Sequence, residues 1–173
     1  LTRIGMATSS KTHVEMWALQ APAAGSANVV VTLTAAENVV AGATTFFGVD
    51  PTTPYGAATT GSGSGDPSLS VASDAGELVV DAVADRDVDS ETVGAGQTDQ
   101  WMYKNGTGSS DAWGGSSTEP GAATVNMSWT TTGGGAGEWA AVAASLKPWI
   151  NTAPVLDSGR SPAMDSVAED AGS

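Results

Sequence analysis

The side chains best able to do chemistry crowd into one stretch, Asp81 and then Asp85-Arg-Asp-Val-Asp-Ser-Glu91. From Asp85 to Glu91 an oxygen donor stands at every second residue. A hard cation such as calcium takes six to eight oxygens, and a loop of this spacing can wrap several carboxylates around one ion. Asp85, Asp87, Asp89 and Glu91 are therefore the candidate calcium ligands. The glycine of an EF-type loop is missing, since Ser90 follows Asp89. The competing reading is an acidic loop held in solvent. A third reading takes the run as extended, so that Asp87, Asp89 and Glu91 face one way. That is the geometry of a glycosidase carboxylate pair, but no aromatic cleft is evident around it.

Other catalytic devices find little support. His13 is the single histidine, and there is no Gly-x-Ser-x-Gly elbow for a nucleophilic serine. With no cysteine, thiol chemistry and disulfides are excluded, and zinc lacks its usual ligands. The chain is expected not to be an enzyme. Trp101, Tyr103 and Trp113 lie in or beside the longest loop region, where exposed rings could stack on sugars; packing beneath the loop is the plainer reading. Trp17, Trp129 and Trp139 fall in strand patterns and read as core.

The elements that must position these residues are strands. Val14, Met16 and Ala18 alternate with Glu15, Trp17 and Leu19, and Val125, Met127 and Trp129 alternate with Asn126, Ser128 and Thr130. Asn28–Thr34, Thr44–Val49, Leu69–Ser73 and Glu77–Val83 read as further strands. Trp139–Leu146 is alanine-rich, yet Gly137 and Pro148 bound it so closely that a last strand is the better reading. Gly/Ser/Thr-rich runs at 56–66, 104–121 and 131–137 read as loops. Many short strands without an amphipathic helix predict an all-β, antiparallel two-sheet sandwich of jelly-roll type.

Composition sets limits on partners. The 173 residues carry a formal charge of −13, which repels phosphate backbones and anionic lipid. Nucleic acid and membrane insertion are thus not expected, and no apolar run approaches the roughly 20 residues of a bilayer span. At 40% hydrophobic with six tryptophans, the chain is too apolar for a disordered one.

The order Trp17-x-Leu19-x-x-Pro22-x-x-Gly25, Val29-x-Val31, then Phe47-Gly-Val-Asp50-x-x-x-Pro54 resembles a lectin-like (concanavalin- or laminin-G-like) jelly-roll module of large secreted bacterial proteins. The resemblance covers Glu15 to Pro148. Asn151-Thr-Ala-Pro-Val-Leu156, with the later Glu169-Asp170, resembles the opening of a cadherin-like or immunoglobulin-like repeat. Together they imply a sandwich domain over 1–149, followed over 150–173 by a linker and the start of a next repeat. They also imply an extracellular or cell-surface setting. Leu1–Met6 reads as a strand without its upstream partner, which would leave an open sheet edge. The function expected is structural or adhesive, with calcium as a possible stabiliser and neighbouring modules or further copies as partners. A carbohydrate-binding module using the loop aromatics is the alternative.

Overall fold

In the computed structural model, residues 1–133 and 137–150 are described; the proposed linker and repeat beyond them lie outside. The described chain is nearly all β, with ten strands. They are β1 (Thr2–Thr8), β2 (His13–Ala18), β3 (Thr59–Ser64), β4 (Ser68–Val71), β5 (Leu78–Arg86), β6 (Ser90–Val93), β7 (Thr98–Asn105), β8 (Ala112–Pro120), β9 (Val125–Thr132) and β10 (Glu138–Leu146). A single 3₁₀ turn, Gly108–Ser110, links β7 to β8. All ladders are antiparallel. The strands form a five-stranded sheet in the order β3-β10-β5-β8-β7, a three-stranded sheet β4-β9-β6, and the hairpin β1-β2.

The sandwich forms between the two larger sheets. Val79 and Val83 of β5 and Trp139, Ala141 and Ala143 of β10 meet Leu69 and Val71 of β4 and Val125, Met127 and Trp129 of β9. Val125, Met127 and Trp129 share the buried face of β9, as their alternation predicts. Ala140 and Val142 point the other way, against Ala7 and Val14 of the hairpin. β10 is therefore covered on both faces, and its residues from Trp139 to Leu146 are all buried. Its alanine-rich sequence fits that position, because a strand lying between two layers needs small side chains and shows no polar alternation.

Several expectations are corrected. Asn28–Thr34 and Thr44–Val49 form no strand; residues 19–58 are irregular apart from single bridges at Val49 and Tyr55. Conversely, β3 occupies a stretch that reads as loop, and β7 and β8 carry most of another. Trp17 is 49% exposed, not core.

Candidate functional site

β5 runs through the middle of the larger sheet, so alternate residues face the sandwich interior. Val79 and Val83 are two of these; Asp81 and Asp85 are the others. Across the gap, β6 contributes Glu91 in register with Thr131 of β9. Three carboxyl groups thus stand between the sheets, each with at most 5% of its residue surface exposed.

Their surroundings differ. Both oxygens of Asp81 are satisfied: Oδ1 accepts from the Ser117 backbone N–H at 2.6 Å and the Ser117 hydroxyl at 2.9 Å. Its Oδ2 accepts from the Trp129 indole N–H at 2.7 Å. Burial nevertheless pushes this carboxyl up to about 6, with those donors opposing the rise. Asp85 Oδ1 accepts the Arg86 backbone N–H at 2.6 Å, while its Oδ2 has no partner. Burial, then the charges of Asp111 and Asp66, push it up to about 7. Neither oxygen of Glu91 has a partner; burial, followed by Asp85 and Asp81, pushes it up to about 8.

The middle of the acidic run is placed elsewhere. β5 ends at Arg86 and β6 begins at Ser90, so Asp87 and Asp89 lie in the turn between them. Asp87 takes the left-handed conformation, with φ of 59°, and donates its N–H to Asp111 Oδ1 at 2.8 Å. Asp89 is exposed and donates its N–H to the Thr132 carbonyl at 2.7 Å. Asp87, Asp89 and Glu91 are therefore not on one extended strand. Among the described residues, no three His, Asp or Glu side chains converge closely enough to hold a metal ion.

The turn is pinned from below by residues that the spacing of the acidic run did not reveal. Lys104 on β7 pairs with the buried Asp111 at 2.8 Å and donates to the Val88 carbonyl at 2.9 Å. The Trp113 indole N–H donates to that same carbonyl at 2.9 Å, and Lys104 lies 5.5 Å over its ring. Lys104 and Asp111 stand far from the run in sequence, and the β5–β8 and β7–β8 pairings together bring this region beside it.

The three candidate stacking aromatics are on strands, not loops. Lys104 is opposite Trp113, and Tyr103 is opposite Gly114. Cross-strand partners share a face, so Trp113 faces the opposite side from Trp101 and Tyr103. The backbone of Gly42 lies against the Trp101 indole, so closely that a Cβ there would overlap it. Tyr103 is the open member, 66% exposed.

Comparison with protein-family models, curated proteins and solved structures finds no match to this chain. The residues alone carry the reading. His13, at the start of β2, hydrogen-bonds Thr8 Oγ1 at 2.9 Å and Glu15 Oε1 at 3.0 Å. Glu15 also accepts from the Trp17 indole at 2.7 Å, and these two side-chain bonds hold its carboxyl below the usual range. A cavity of about 550 Å³ opens beside the β1–β2 turn, with Lys11, Glu37, Arg86 and Trp113 in its lining.

Proposed function

We propose that this domain is a non-catalytic structural and adhesive module of a large extracellular bacterial surface protein, associating through its sheet edges. The observation that carries this reading is how the reactive side chains are used. Asp81 ties β5 to β8 and β9, Asp111 and Lys104 anchor the β5–β6 turn, and His13 links residues of the β1–β2 hairpin. Each of these groups joins two segments of the fold, a use of polar side chains that suits a spacing domain.

Calcium belongs to the same proposal. Of the four candidate ligands, Asp85 and Glu91 supply three buried oxygens without partners, which suit a hard cation chemically. Asp87 and Asp89 lie in the turn that joins β5 to β6. A cation would displace protons there, so calcium should raise the unfolding midpoint more at pH 8 than at pH 6. Thermal unfolding with millimolar calcium against chelator tests this; equal midpoints at both pH values remove calcium from the reading.

A second reading, carbohydrate binding, draws on Tyr103, whose exposed ring stands on the same face of β7 as Trp101. Glycan-array binding that is lost in Tyr103→Ala and kept in Trp113→Ala would establish it. Hydrolysis of any glycan, abolished by Asp87→Ala or Asp89→Ala, would overturn the non-catalytic reading.

A further inference from the structure

We propose that the open edge of β3 is an acceptor for the unpaired run Asn28–Thr34 of a second copy, so that copies join by strand addition. This rests on the structural reading above and gives its edge contacts a donor and an acceptor.

The acceptor is identified by how the other edges are protected. Isolated sheet edges invite pairing, and natural proteins blunt them with charges and bulges. β7 carries Asp99 and Lys104, with a register break between Asp99 and Trp101. β1 carries Arg3 and a break between Arg3 and Gly5; β2 carries His13 and Glu15, and β6 is 4 residues long with its Glu91 turned inward. Among the described edge strands, only β3 (Thr-Thr-Gly-Ser-Gly-Ser) and β4 (Ser-Leu-Ser-Val) carry neither a titratable side chain nor a bulge. β3 is the longer, pairs among the described residues with β10 on one side only, and has small side chains that allow close approach.

The donor is equally distinct. Asn28-Val-Val-Val-Thr-Leu-Thr34 has strong strand character and no charge. Its backbone makes no hydrogen bond to the rest of the described chain. Val29, Val30 and Val31 are 71%, 76% and 54% exposed, an apolar patch that is costly to leave in water. Seven donor residues match the six of β3.

The chain's own unpaired run points to a second copy as the occupant, and charge does not oppose it at this edge. Molecules of net charge −13 repel one another, and contact is least opposed where both surfaces are neutral. Donor and acceptor are both charge-free, so added salt should promote assembly by screening the remainder. The contact is heterologous, one copy's run on the next copy's edge, and such contacts extend into chains unless they close into rings.

Sedimentation velocity over a range of protein and salt concentrations tests this. The wild type should show a mass that rises with concentration and with salt. Val30→Lys and Ser62→Lys, both at exposed positions, should each raise the concentration for half-assembly by about tenfold or more, since an edge lysine opposes pairing. Mixing the two variants restores one intact junction and should give dimers that stop at that size. A wild type that stays monomeric overturns strand addition, as do variants that assemble normally or a mixture that forms no dimer. Those results leave the non-catalytic reading standing, since only the glycan and hydrolysis assays bear on it.

Discussion

Acid should stabilise this domain over a pH range in which most proteins change little. Asp81, Asp85 and Glu91 are buried between the sheets with carboxyls raised to about 6, 7 and 8. In the unfolded chain such groups ionise near pH 4. Between pH 4 and the raised values, the folded state holds protons that the unfolded state has lost. Stability is then full below the unfolded values and declines as pH rises through the folded ones. Each group protonated only in the folded state contributes a slope of about 1.4 kcal/mol per pH unit. From pH 7 to 8 that group is chiefly Glu91, and the loss of about 1.4 kcal/mol corresponds to roughly 3–5 °C in midpoint for a chain of this size. Below pH 4 the effect reverses, because Glu15, Asp50 and Glu138 are held below their ordinary values and lose their hydrogen bonds on protonation.

The assay is thermal unfolding followed by circular dichroism in steps from pH 4.5 to 9, without divalent cations. The midpoint should be highest at the acid end of this range and fall to pH 8, most steeply below pH 6, where all three carboxyls are protonated only in the folded state. Glu91→Gln, which removes the charge while keeping the shape, should flatten the section between pH 7 and 8 and leave the lower section sloping. A midpoint that is level or rises from pH 5 to 8 would refute the reasoning, because it would mean that the carboxyls are solvated or paired in the folded state. A Glu91→Gln variant with an unchanged upper slope would show that the proton is held elsewhere.

Two substitutions probe the same interior. Trp129→Phe keeps a ring in the core but removes the donor to Asp81 Oδ2, and should cost about 1–3 kcal/mol. Because the orphaned oxygen is worse when ionised, the loss in urea unfolding should be larger at pH 8 than at pH 5. Gly115→Ala would put a Cβ 2.7 Å from the Trp129 ring, and should cost about 1–3 kcal/mol by overpacking. Because the displaced ring also holds Asp81 Oδ2, this cost too should be larger at pH 8 than at pH 5, and an equal cost at both would show that the ring gives way without loosening that bond.

Glycine is where sequence reading and structure part most clearly, and the reason is packing. Turn chemistry makes a Gly-rich run look like a loop. In β3, however, Gly61 and Gly63 lie beneath Trp139, and a Cβ at Gly61 would come within 2.7 Å of Leu69. In β8, Val40 covers Gly114 on one face while Trp129 lies on Gly115 from the other. These glycines make room for bulky neighbours on adjoining layers, and nothing local in the sequence distinguishes them from turn glycines. β9 was legible because one face is buried and the other wet; β10 was legible only by its bounds, since both faces are covered. The acidic run was legible as a cluster, but its division was not. Alternate spacing predicts one face only if the strand continues, and here a turn at Asp87–Asp89 sends Asp85 and Glu91 inward from two different sheets.

Asn28–Thr34 shows the converse. Its β-branched run has the propensity of a strand, yet propensity in a sheet is mostly the value of packing against cross-strand neighbours. A run without a neighbour has nothing to realise it, and a lone strand satisfies none of its backbone groups. The chain meanwhile carries a ladder edge, β3, whose outer side has no neighbour among the described residues either. A strand-like segment lacking a partner and a strand lacking one side are two halves of a single deficit. Because one chain presents both without joining them, pairing between copies would satisfy the backbone of each, and the sheet would gain its missing strand from the next molecule.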